Sequence, residues 1–136
     1  MWRDISSLGT PITGIGDDDN EGPFPLGFTF PFYGNTYDAV RFCTNGWISF
    51  TSTVTTYTNS GLPAPDEPNN ASYAFWDDIT FASSGNAYYY FDAAAGEFIV
   101  QYTNVEKYSP SGNPLTFQVQ LYPSGKVLLQ YRTMAG

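Results

Sequence analysis

The sequence contains no histidine and a single cysteine, Cys43. The missing imidazole excludes a Ser-His-Asp triad, a Cys-His pair and histidine-ligated zinc. One cysteine rules out an intrachain disulfide, so stability has to come from packing. Cys43 sits in an alternating run and is expected as a small buried hydrophobe, since a reactive thiolate needs a base or cations beside it. Cations are scarce as well. Five Lys and Arg stand against thirteen Asp and Glu, a formal net charge of -8. Phosphate neutralisation needs clustered cations, so nucleic acid is not an expected partner, and an anionic membrane surface is disfavoured for the same reason. No apolar run approaches the ~20 residues of a membrane span, and no export signal is visible. Met1 directly before Trp2 reads as a start codon added to an excised domain, which makes the missing signal uninformative.

What is present is aromatic and turn-rich. The 136 residues are 42% hydrophobic, enough for one core and too few for two domains. Eleven Tyr, eleven Phe and three Trp supply rings whose burial can offset chain entropy. Phe28, Phe30 and Phe32 alternate along one face of a strand, and Pro31 confines that strand to an edge or a bulge. Val40–Thr44 and Trp47–Phe50 flank Asn45-Gly46, predicting a hairpin with a type I′ turn. A polar, Pro-rich stretch over Val54–Asn70 reads as a long surface loop. Ala87–Phe91 and Glu97–Tyr102 are expected strands on either side of a turn at Ala93–Gly96. Leu115, Phe117, Val119 and Leu121 alternate with polar residues. After Pro123-Ser124-Gly125-Lys126, Val127, Leu129 and Tyr131 do the same, so a half-buried antiparallel hairpin closes the chain. No segment carries a helical apolar stripe. The expectation is all-β, an antiparallel β-sandwich or jelly roll forming a single domain over residues 1–136.

Candidate chemistry is limited to oxygen donors and rings. Gly14-Ile15-Gly16 leads into no helix and lacks a nucleotide fingerprint. Asp17, Asp18, Asp19, Asn20 and Glu21 form a dense oxygen-donor run, the kind of flexible loop that calcium, with six to eight oxygen ligands, can use. Its spacing is not that of an EF-hand loop, and a solvated acidic turn before Pro23 is the plain alternative. Asp77 and Asp78, after Trp76, are a second candidate. As strand neighbours they point to opposite faces and do not form a glycosidase pair; Asp4, Asp38, Glu97 and Glu106 could supply partners in space, a pairing that sequence does not fix. In Tyr88-Tyr89-Tyr90 faces must alternate, so Tyr89 or its two neighbours face outward, and an outward ring suits sugar stacking or a protein interface. Asn70-Ala71-Ser72 is an N-glycosylation acceptor in a eukaryotic secreted protein.

Four pieces in order, Phe30-Pro31-Phe32-Tyr33-Gly34, Asn45-Gly46-Trp47-Ile48-Ser49-Phe50, Phe75-Trp76-Asp77-Asp78 and Leu115–Tyr122 with Ser124-Gly125, resemble the nidogen-like (NIDO) extracellular domain and, more closely, its bacterial relatives in large secreted or surface proteins. The resemblance runs from Trp2 to Tyr131. It implies a non-catalytic extracellular module of a larger protein, serving adhesion or assembly through protein contacts, and it transfers no site residues. A carbohydrate-binding module using exposed aromatics is the alternative, and a carboxylate-based glycosidase a more remote one. Relatives of this kind continue past the final hairpin with another strand-like segment, whereas this sequence stops at Met134-Ala135-Gly136. The expectation is an open sheet edge, filled by a neighbouring copy or a partner peptide.

Overall fold

A computed structural model describes residues 3–13, 20–32, 34–51, 71–73, 79–81, 85–107 and 114–134. Among them there is no helix. The strands are β1 (Thr10–Pro11), β2 (Asn20–Phe32), β3 (Asn35–Cys43), β4 (Trp47–Ser49), β5 (Ala71–Tyr73), β6 (Ile79–Thr80), β7 (Asn86–Asp92), β8 (Glu97–Lys107), β9 (Leu115–Leu121) and β10 (Val127–Met134). Two antiparallel sheets result. One runs β1-β7-β8-β9-β10, with β6 paired to β8; the other runs β2-β3-β4-β5. The architecture is the expected sandwich.

Alternation builds the core. Leu26 and Phe30 of β2, Val40 and Phe42 of β3, and Ile48 of β4 meet Ala87, Phe98, Val100, Tyr102, Phe117, Val119 and Leu121 of the opposite sheet in one buried cluster. Phe28 and Phe32 pack against it, as their shared face with Phe30 demands. Among the described residues β2 pairs with β3 alone, and it slips register twice, between Glu21 and Phe24 and between Pro25 and Phe30, the edge position that Pro31 predicts. Cys43 is fully buried, the inert setting expected of it.

The β3–β4 turn differs from expectation. Cys43 pairs with Trp47, so three residues, Thr44, Asn45 and Gly46, form the loop. Gly46 adopts φ 88° while Asn45 keeps a negative φ. A type I turn closed by a glycine bulge replaces type I′, in which both central residues must be left-handed. The reason is tertiary. Thr44 and Asn45 are fully buried, and the Asn45 Oδ1 accepts a hydrogen bond from the Ile79 N–H at 3.0 Å. Tyr102 reaches the same hairpin from the other sheet. Its hydroxyl donates toward the carbonyls of Cys43 at 2.6 Å and Trp47 at 3.1 Å, and burial pushes the phenol well above its usual pKa. The neck of one sheet is therefore held by a side chain of the other.

The closing hairpin also departs from the half-buried expectation. All seven residues of β9 are buried, including Thr116, Gln118 and Gln120 on the face expected to meet solvent. The cover is the N-terminal segment Arg3–Gly9, described below. β10 fits the expectation better, with Val127 to Gln130 half-buried and Tyr131 48% exposed.

One close approach between sheets yields a prediction. Gly27 of β2 has φ +82°, and a Cβ there would lie 2.5 Å from the Phe91 ring of β7. Gly34 shares the φ of +82° but has nothing within 4 Å. Gly27→Ala should cost about 1–2 kcal/mol for its left-handed backbone plus the displacement of Phe91, and Gly34→Ala the backbone cost alone. Urea unfolding of the two variants checks the order.

Candidate functional site

The outer face of the larger sheet is polar yet buried. Gln101 of β8 pairs with Gln118 of β9, so their side chains stand together on that face, with Gln120 one step further. The side-chain amides form a directed relay. The Tyr122 hydroxyl donates to Gln120 Oε1 at 3.2 Å, and Gln120 Nε2 to Gln118 Oε1 at 2.9 Å. Gln118 Nε2 donates to Gln101 Oε1 at 2.6 Å, and Gln101 Nε2 to Asp4 Oδ1 at 3.2 Å. Each amide accepts at its oxygen and donates at its nitrogen, so a row of glutamines satisfies itself, as buried polar groups must.

The N-terminal segment lies across this relay. The Ile5 N–H donates to Gln101 Oε1 at 2.9 Å, and Gln118 Nε2 also donates to the Arg3 carbonyl. Ile5 is fully buried, outside the main core cluster. The Arg3 guanidinium pairs with Asp92 and, at 3.0 Å, with Glu97, and stands 5.5 Å from the centre of the Tyr90 ring. Asp4 turns back on the Ser6 N–H at 2.9 Å.

Two carboxyls of this region are held below their usual pKa: Asp92 first by the Arg3 hydrogen bond and then by the Ala95 N–H, Asp4 first by the Ser6 N–H. A folded-state pKa below the unfolded one contributes stability that is present above the unfolded value and lost as pH falls through the folded one. The melting temperature should therefore fall as the solution is acidified below about pH 4. Arg3→Gln should weaken that dependence in a calorimetric pH series.

At the end of the relay the sheet is distorted. The β8–β9 register shifts between Tyr102 and Val105, and the β9–β10 register shifts between Tyr131 and Thr133. Asn104 takes φ 52°, the one left-handed non-glycine residue among those described, and its N–H donates to Thr116 Oγ1 at 3.1 Å. The two bulges flank Thr116 from either side. They open a cleft of about 280 Å³ lined by Asp4, Gln101, Thr103, Asn104, Thr116 and Arg132. Arg132 Nη1 lies 3.8 Å from Asp4 Oδ2, and Gln101 Nε2 also donates to Thr103 Oγ1 at 2.8 Å.

The residues singled out from sequence do not gather here. Asp17, Asp18, Asp19, Asp77 and Asp78 lie outside the described residues. Asn20 and Glu21 belong to β2 rather than to a loop, and as strand neighbours they point to opposite faces. Asn20 Oδ1 accepts from Arg41 Nε at 2.9 Å. Among the described residues no three His, Cys, Asp or Glu side chains come together. Tyr89 is the inward member of its triplet, stacked on Phe24 at 4.4 Å between ring centres and on Phe98 at 5.9 Å. Tyr88 and Tyr90 take the outer face, Tyr90 beside Arg3. The cleft and relay residues escaped the sequence reading. One signal was available: the polar face of β9 carries Thr and Gln in place of Lys or Glu, a choice suited to neutral hydrogen bonding under cover.

A family model described as NIDO related covers residues 1–136. No curated protein and no solved structure matches the chain. The match spans every described strand, and by it the chain belongs to the NIDO-related family, whose domains suggest an extracellular module.

Proposed function

We propose that this chain is a non-catalytic module of a secreted or cell-surface protein and that it works by protein contacts, accepting an extended segment of a partner along β10. The observation that carries this reading is the contrast among the four sheet edges. β1 and β5 are two and three residues long. β2 is long, but it contains Pro23, Pro25 and Pro31 and slips register twice. Short strands, prolines and bulges are the usual protections against strand addition. β10 is eight residues long, contains no proline, and keeps regular register from Val127 to Tyr131 before its single bulge. Among the described residues it ends its sheet, with β9 as its one paired neighbour. Strand addition at such an edge supplies main-chain hydrogen bonds, and alternate side chains supply selectivity.

Charge narrows the partner. Lys126 and Arg132 flank the regular stretch, two of only five cations in the chain. An extended segment with acidic residues near its ends fits best, and this acidic chain itself offers such segments. In amide hydrogen exchange, Val127–Gln130 should gain protection in the presence of a displayed acidic peptide or of the concentrated chain. Lys126→Glu should slow association, most at low salt. A monomer at every concentration, with no peptide protecting β10, would remove the reading.

A further inference from the structure

We propose that the cleft between the bulges of β8 and β10 is a binding site for a neutral polyhydroxylated ligand, namely a single sugar residue at the end of a glycan. This goes beyond the strand-addition reading and uses a different face of the sheet. Several independent features converge on the cleft. Bulges in both strands that flank β9 fall at the same level of the sheet, where each re-aims a side chain, Asn104 on one side and Arg132 on the other. Asn104 holds a left-handed backbone at the centre of that distortion, a conformation that costs energy in a non-glycine residue and concentrates at functional sites. The floor is made of buried polar groups, Gln101 at 1% and Thr116 at 6% exposure, so it is fixed before any ligand arrives. The relay through Gln120, Gln118 and Gln101 ends on Asp4 and orients its carboxylate.

The chemistry of the lining selects the ligand class. Asp4 accepts hydrogen bonds, Arg132 donates them, and Thr103, Thr116 and Asn104 can do both. The two charges face each other at 3.8 Å and cancel, so an anion meets Asp4 and a cation meets Arg132. A hydroxyl both donates and accepts, and vicinal hydroxyls match a guanidinium and a carboxylate held side by side. At about 280 Å³ the cleft lies at the lower limit of ligand pockets, the size for one ring rather than a chain. Among the described residues no aromatic side chain lines it, and recognition by them rests on hydrogen bonds rather than stacking.

The test is a titration of the whole chain followed by amide and side-chain NMR. The probes are glucose, galactose, mannose, fucose and N-acetylglucosamine, with acetate and ethylamine as charged controls, followed by a glycan array. The expected result is saturable shifts at Asn104, Thr116 and Arg132 with at least one sugar, and none with the charged controls. Arg132→Gln lies on an exposed side chain and should leave the fold intact while weakening the sugar about tenfold or more. Asn104→Gly, which adopts the same backbone without cost, should weaken binding by loss of the amide while keeping or raising stability. Silence at these residues for every sugar, together with an empty array, overturns the proposal. So does sugar binding that survives both substitutions.

Discussion

Replacing Tyr102 by alanine should lower the unfolding free energy by about 3–5 kcal/mol, as large-to-small changes of buried aromatics do. Tyr102 is fully buried, with its ring 4.5 Å from that of Phe117 and 4.8 Å from that of Phe42. It thus joins its own sheet to the other before its hydroxyl is considered. Tyr102→Phe isolates the hydroxyl. It keeps the ring and removes only the donor to Cys43 and Trp47, and it should cost about 1–3 kcal/mol because carbonyl capacity is left unmet in a dry setting. The difference between the two variants measures ring packing against hydrogen bonding at the seam of the sandwich. Equilibrium urea unfolding gives both values. A Tyr102→Phe variant as stable as the parent would mean that the hairpin neck needs no help from the opposite sheet.

The second large effect belongs to the N-terminal segment. Ile5→Ala should cost about 2–5 kcal/mol, the range for emptying a fully buried aliphatic site. Gln118→Ala should cost about 1–3 kcal/mol by leaving buried polar groups without a partner. Gln118 serves four of them: the Arg3 carbonyl, the Arg3 N–H, Gln101 Oε1 and Gln120 Nε2. Because Gln101 and Gln118 share a hydrogen bond, the double variant should deviate from additivity by about 0.5–3 kcal/mol. Trypsin or hydrogen exchange supplies a second readout, since either substitution should open the Arg3–Gly9 backbone while the β8–β9 ladder stays protected. Loss of protection in both together would show that segment and sheet form one cooperative unit.

Strand periodicity made much of this fold readable. The Phe28–Phe32 face, the edge position forced by Pro31, and the β7–β8 and β9–β10 hairpins follow from side chains that alternate with period two. What periodicity does not report is a second layer of cover. Gln118 and Gln120 alternate with Phe117 and Val119 as solvent-facing residues would. They are buried because a segment more than a hundred residues away in sequence lies over them. Asn45-Gly46 carries a sound type I′ signature, yet the asparagine is drawn inward to the Ile79 amide, a demand set by a strand thirty-four residues later. The cleft was invisible for a related reason. Its walls come from two bulges, and a bulge is a mismatch between strands that neither strand shows alone. In the Tyr88-Tyr89-Tyr90 triplet, alternation was clear and only the phase was open; Phe24 and Phe98 set it by taking Tyr89 inside.

The seat of the N-terminal segment also bears on how the chain is made. Arg3 and Ile5 leave the ribosome well before the residues that hold them. Their partners Gln101 and Gln118 follow only 96 and 115 residues later. Contacts so distant in sequence form slowly, because a long loop must close before they are rewarded. During vectorial emergence, whether from a ribosome or through an export pore, the leading segment therefore travels without its binding surface. The domain cannot lock while any of β9 remains inside the tunnel. Such a domain stays threadable until β9 has emerged and the cover over it can form.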